Sequence, residues 1–285
     1  MIKRILVALD IDQDSDVATR YASEIARRYD AVVSGLALVH TQRIAAEVGP
    51  GGAVGGQYYA QRVRDALTAK THRAAREILE RFESILDADG VANDSRVREG
   101  VPYRRIVEEM KTHDLLVIGR TPHFFYPQPG KRTQTLTRVV KEGIIPTLIV
   151  PEEHRAVKHV LLAYDGSEAA TRTMHRFAQL KPFGSDLEVE VLHVRGWVSD
   201  ASRRASELML ERTACYLGAH EFARVRKTSL EMDDPPRRVL AYAKEVNTDL
   251  IVAGAHSVSA ISRMTFGSTT HTLLKECEVP FFMYH

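Results

Sequence analysis

Cysteine is scarce in this chain. Cys215 and Cys277 are the two thiols among 285 residues, and they have no metal-ligand spacing. Such a pattern is neither a disulfide framework nor a zinc finger, and it reads as two reduced thiols in a cytosolic protein. Long apolar runs are missing. Leu115 to Gly119 and Val160 to Tyr164 are far too short to span a bilayer. No secretory leader is expected, because Met1-Ile2-Lys3-Arg4 leads straight into the first strand-like run. The expectation is a cytoplasmic protein with no membrane span. Charge of one sign is lacking too. Lys and Arg total 39 against 37 Asp and Glu, a net charge of +2, and no basic stripe marks a nucleic-acid surface.

Several catalytic signatures are also absent. No Gly-x-Gly-x-x-Gly follows the first strand, which disfavours a dinucleotide-binding Rossmann domain. No Gly-x-Ser-x-Gly elbow and no His-Glu-x-x-His occurs. Gly130-Lys131-Arg132-Thr133 imitates the end of a P-loop, but Phe125 stands where its first glycine belongs. Neither a nucleophile nor a paired acid–base set stands out, so no metal centre and no efficient enzyme is expected.

What is present is a repeat. Ile2-Lys-Arg-Ile-Leu-Val-Ala-Leu-Asp10 matches Val157-Lys-His-Val-Leu-Leu-Ala-Tyr-Asp165, and Gly35-Leu-Ala-Leu-Val-His40 matches Val189-Glu-Val-Leu-His193. Asp114-Leu-Leu-Val-Ile-Gly119 matches Asp249-Leu-Ile-Val-Ala-Gly254. Ile145-Pro-Thr-Leu-Ile-Val150 matches Val279-Pro-Phe-Phe-Met-Tyr284. The offsets fall in order from 155 to 153, 135 and 134, which means one unit duplicated, with a shorter loop in the second copy. The copies are residues 1–151 and 157–285. The extra length of the first lies around Gly49-Pro-Gly-Gly-Ala-Val-Gly-Gly56, read as a surface insertion or, alternatively, a lid.

Each copy alternates strand and helix. Apolar runs without alternation, separated by amphipathic helices, indicate a parallel sheet covered on both faces. Strands are expected near 2–9, 31–39, 93–98, 114–119 and 146–150, then near 157–164, 186–195, 224–231, 249–254 and 280–284. The fold class is therefore α/β, two tandem five-stranded parallel-sheet sandwiches. In such sheets ligands bind beyond the carboxyl ends of the strands, where Asp10, Gly119, Asp165 and Gly254 fall. The stretch from Gly254 to Pro280 places a long loop between a strand and a helix opening at Gly267-Ser268-Thr269. Such a helix start offers free N–H groups to an anion.

These motifs together resemble the universal stress protein family in its tandem two-domain form. The residues that carry the resemblance are Ile-Leu-Val-Ala-Leu-Asp10, Leu-Leu-Ala-Tyr-Asp165-Gly-Ser, Leu-His193-Val, the two Asp-Leu-[Leu/Ile]-Val-x-Gly strands and the final Val-Pro strand. The resemblance implies an adenine nucleotide alpha hydrolase-like fold and ATP, with magnesium, as ligand. ATP-binding members carry Gly, two residues, Gly, nine residues, then Gly-Ser or Gly-Thr. The second copy keeps this spacing with Ser257 in place of the middle glycine. By resemblance, Asp165 meets the ribose or adenine, Val194 meets adenine through its backbone, and Ala163 lines the pocket. Gly254, His256, Ser257, Gly267, Ser268 and Thr269 line the phosphate loop, with Arg263 inside it. The first copy departs further. Pro122 takes the place of the middle glycine, and Thr133 and Gln134 take the place of Gly-Ser, so triphosphate binding is read as lost. Its loop Phe124-Phe-Tyr-Pro-Gln-Pro129 would pack over its own cavity or hold an apolar ligand.

Two functional readings follow. One is a stress-response sensor or regulatory module that binds ATP or another adenine nucleotide in the second copy, with at most slow hydrolysis. The other is a protein-interaction scaffold in which both nucleotide sites are vestigial. The family pairs subunits through the final strand. Here Thr147–Val150 and Phe281–Tyr284 would pair within one chain as a pseudo-dimer, with a further homodimer and a protein partner left open. His40 and His193 are read as strand-end hydrogen bonders, Asp10 as a cap for the loop after it, and Cys277 as a buried small hydrophobe.

Overall fold

The computed structural model describes residues 1–11, 14–48, 54–122, 124, 135–196, 200–255 and 268–284. The chain divides into two compact units. One is Lys3–Ile145, and the other is Pro146–His285 together with Met1 and Ile2.

The first unit runs β1 (Arg4–Leu9), α1 (Asp14–Tyr29), β2 (Val32–Val39), α2 (Thr41–Val48), α3 (Val54–Ala88), β3 (Asn93–Glu99), α4 (Pro102–Met110), β4 (Leu115–Gly119) and α5 (Thr135–Glu142). Its strands lie in the order β3-β2-β1-β4 and are all parallel, with Ile5 opposite both Val33 and Leu115. The other unit runs β5 (Thr147–Val150), β6 (His159–Ala163), α6 (Glu168–Leu180), β7 (Glu188–Arg195), α7 (Asp200–Ala219), β8 (Arg224–Glu231), α8 (Pro235–Glu245), β9 (Leu250–Ala253), α9 (Ser268–Glu276) and β10 (Phe281–Met283). Its strand order is β5-β10-β9-β6-β7-β8. Every described pairing in it is parallel except β5 with β10, where Phe281 faces Ile149 and Met283 faces Thr147. That pairing within one chain is the one expected from the two final strands.

Burial explains the order. β4, β5, β9 and β10 are buried at every residue, as continuous apolar runs covered on both faces should be. β3 and β8, the outermost strands of their units, carry Asp94, Arg96, Arg98 and Arg224, Arg226, Lys227. Charges there discourage pairing with another chain. The aspartate before β4 and its counterpart before β9 do a job that their apolar neighbours hide. Asp114 Oδ2 accepts the N–H groups of Lys3 and Arg4 at 2.7 and 3.0 Å, and Asp249 Oδ2 accepts those of Lys158 and His159 at 3.0 and 2.9 Å. Each carboxylate satisfies the start of the neighbouring strand.

One helix was not expected from the sequence. α2 follows β2 directly and buries Ile44. Of the glycine-rich stretch after it, residues 49–53 lie outside the described residues, and Val54 to Gly56 open α3.

Candidate functional site

The second unit's turn after β6 is built by three residues with separate tasks. Asp165 Oδ1 accepts the Ser167 N–H at 3.0 Å and so closes an Asx turn. Gly166 takes φ +77°, a conformation that costs glycine nothing. Ser167 then caps α6, its Oγ accepting the Ala170 N–H at 3.3 Å. The turn leaves the Asp165 side chain exposed at the carboxyl edge of the sheet.

The strands bring other expected residues to the same edge. Ala163 closes β6 and pairs with Ala253 of β9 on one side and Leu192 of β7 on the other. Gly254 follows Ala253, and Val194 lies two residues beyond Leu192. Ala163, Asp165, Val194 and Gly254 thus meet across three adjacent strands. Ser268 and Thr269 open α9, with only their backbone described. His256, Ser257, Arg263 and Gly267 lie outside the described residues.

Side chains around the edge were not all legible beforehand. His193 Nδ1–H donates to the Tyr164 carbonyl at 2.9 Å and ties β7 to the turn, as the strand-end reading of this histidine anticipated. Beside Val194, Arg195 and Arg203 share one carboxylate. Their Nη2 atoms lie 2.7 and 3.3 Å from Glu231 Oε1. Arg195 keeps its Nε and Nη1 buried without a hydrogen-bond partner, so the edge has surplus positive donors. Behind the turn, between α6 and α7, lies a cleft of about 570 Å³ with Gly166, Met174, Leu208, Met209 and Tyr216 in its walls.

The first unit arranges the matching positions differently. Asp10 is 5% exposed, against the exposed Asp165. Its Oδ1 accepts the Ile11 N–H at 2.7 Å and its Oδ2 the Phe124 N–H at 2.5 Å. Phe124 is 1% exposed with φ +50°. Asp10 therefore orients the loops around it and offers no open carboxylate. The rest of that apolar loop, Phe125 to Pro129, and Thr133 and Gln134 lie outside the described residues.

The donor set at the second unit's edge bears on magnesium. Among the described residues no three His, Cys, Asp or Glu side chains gather as a metal site. Asp165 supplies one carboxylate, which suits a magnesium ion that arrives on phosphates and keeps its waters, not one caged by protein.

A duplicated α/β chain with parallel strands and a turn–edge site of this kind defines a class, and comparison with known proteins places it. A model of the Universal stress protein family matches residues 1–151 and again 156–285, and the chain belongs to that family. It is 22% identical over 293 residues to a universal stress protein of Mycolicibacterium smegmatis, covering 97% of this chain and 95% of that one. It is also 22% identical over 214 residues to Universal stress protein Slr1230 of Synechocystis, covering 73% and 71%. Among solved structures, a universal stress protein from Archaeoglobus fulgidus superposes with a TM-score of 0.67 at 19% identity, covering 98% of this chain and 97% of that one. A Pseudomonas aeruginosa protein described as a putative universal stress protein gives 0.64 at 13%, covering 99% and 92%. These structures bear out the fold along the whole chain.

Proposed function

We propose that the second unit binds an adenine nucleotide at the carboxyl edge of β6, β7 and β9, and that the chain acts as a cytoplasmic stress-response sensor or regulatory module. The observation that carries this reading is the contrast between the two strand-end aspartates. Asp165 stands exposed where three strands end, while Asp10 is buried under its own loop. In this reading Asp165 accepts hydrogen bonds from ribose hydroxyls or the base. Val194 offers backbone groups to adenine, and the small Ala163 leaves room for the ring. Gly254, His256, Ser257, Gly267, Ser268 and Thr269 form the phosphate loop, with the α9 N-terminus as an anion seat. ATP brings magnesium with it. Any hydrolysis is slow, because the reading supplies no general base.

Equilibrium dialysis of ATP against the wild type, Asp165→Asn and Gly267→Val tests it. Both variants should bind at least about tenfold more weakly, the loss expected when a charged acceptor or a backbone approach is removed. Equal affinity in all three sinks the assigned site.

The burial of Asp10 favours a second reading for the first unit alone, a scaffold copy whose nucleotide site is vestigial. Mass spectrometry of the denatured native protein, read for released nucleotide per chain, separates one occupied copy from none.

A further inference from the structure

Two carboxylates of the first unit accept hydrogen bonds from the segment that follows β4. Asp14, the first residue of α1, is 4% exposed. Its Oδ2 lies 3.3 Å from the Thr121 nitrogen and 3.4 Å from Thr121 Oγ1, both of which donate to it. The packing at this point is tight, since a Cβ on Gly119 would lie 2.5 Å from the same oxygen. Three residues further along the same loop, the Phe124 N–H donates to Asp10. Two of the three donors are backbone N–H groups of the segment that follows β4 and the third is the Thr121 hydroxyl, the kind of donor set that cradles phosphate oxygens elsewhere. Here the chain's own carboxylate oxygens receive them.

The repeat shows what the second unit has instead. The offset that carries Asp10 to Asp165 carries Asp14 to Ala169, and the offset that carries Gly119 to Gly254 carries Thr121 to His256. Gly254 packs against the backbone of Ala169 and Ala170, and Gly119 against the side chain of Asp14, so each glycine faces the start of the helix that follows the first strand of its copy. In that place one copy has a carboxylate and the other a methyl group. A phosphate brought to the first copy would face two buried negative charges and find these loop donors already used. In the second copy Ala169 carries no carboxylate, and Asp165, the counterpart of Asp10, is exposed and not buried.

We infer that Asp14, together with Asp10, is a built-in anion that closes the first unit to phosphate-bearing ligands, and that the residue at this position, Asp14 or Ala169, decides which copy accepts one. The inference rests on the reading that the second unit's loop takes the phosphates of ATP. Neither aspartate contacts a ligand in it; both act by occupying the loop.

Two measurements test it and fail separately. The first uses amide hydrogen exchange and no nucleotide. In Asp14→Ala the Thr121 amide should exchange at least about tenfold faster than in the wild type, with Asp14→Asn between them. Asp14→Asn also serves if the alanine variant does not fold. Unchanged exchange at Thr121 overturns the built-in anion. The second places the carboxylate in the other copy. Ala169→Asp should weaken ATP binding at least about tenfold while thermal unfolding stays close to wild type. ATP binding equal to the wild type overturns the selectivity. If the wild type binds no ATP, the reading of the second unit falls, and the exchange experiment still decides the role of Asp14.

Discussion

Gly254 and Ala170 approach so closely that a Cβ on the glycine would lie 2.5 Å from the Ala170 nitrogen. The obstacle is backbone and cannot swing away. This glycine is therefore required by the helix beside it, whatever ligand its loop receives. Gly254→Ala should destabilise the chain by about 2–3 kcal/mol, in the range of overpacked interiors. Denaturant unfolding checks this. At Gly119 the Asp14 Oδ2 could rotate away, but the Asp14 Cβ, 2.7 Å from an added Cβ, is fixed to the backbone, so Gly119→Ala should be destabilising as well. A wild-type unfolding midpoint in either variant would show that its contact does not matter.

Glu190 lies inside the second unit with two hydroxyls on one oxygen. Tyr242 Oη donates to its Oε1 at 2.6 Å and Thr228 Oγ1 at 2.5 Å, while His159 Nε2 lies 3.4 Å from Oε2. Burial, then the hydrogen bond to this carboxylate, holds the Tyr242 phenol above its ordinary value. Glu190→Ala should cost about 2 kcal/mol, because it strands donors that are partly cut off from water. Glu190→Gln keeps an acceptor and should cost less. It should also let the Tyr242 phenol ionise at lower pH, read by ultraviolet titration against Tyr242→Phe.

His113 gives the first unit a dependence on pH. It is 7% exposed, its Nδ1–H donates to the Glu109 carbonyl at 2.7 Å, and its Nε2 is buried without a hydrogen-bond partner. Burial, with lesser pushes from Arg4 and Arg96 and a partial offset from Glu109, lowers its pKa below 6.5. The unfolded imidazole takes up a proton as pH falls through 6.5, and the folded one does so only at lower pH. The unfolded state thus holds more protons in that window, and stability is lost there as the pH drops. His113→Thr, which installs the residue found at Thr248, should flatten that part of the stability curve. Parallel curves for the two proteins would remove His113 as the cause.

The pattern of apolar runs made the strands and most helices legible, because a strand covered on both faces has no alternation to misread. The repeat did the rest. The polar outer strands β3 and β8 were placed by their position in each copy more than by their composition. α2 escaped because it leads directly into a glycine-rich stretch and shows no repeat partner. The strand-end position of Asp10 and Asp165 was legible, but their difference was not. It depends on Phe124 donating across 114 positions of sequence, and no local signal reports that bond. The bonds from Asp114 and Asp249 to strand starts were hidden for the same reason.

β5 ends the first copy of the duplicated sequence yet packs as part of the unit that contains the second copy, antiparallel to β10. What was inherited as a repeat and what coheres as a body are therefore not the same piece of chain. A fragment starting at the repeat boundary, residue 156, would leave Phe281, Phe282 and Met283 on an open strand edge, inviting pairing with other molecules. One starting at Pro146 would carry its own cover.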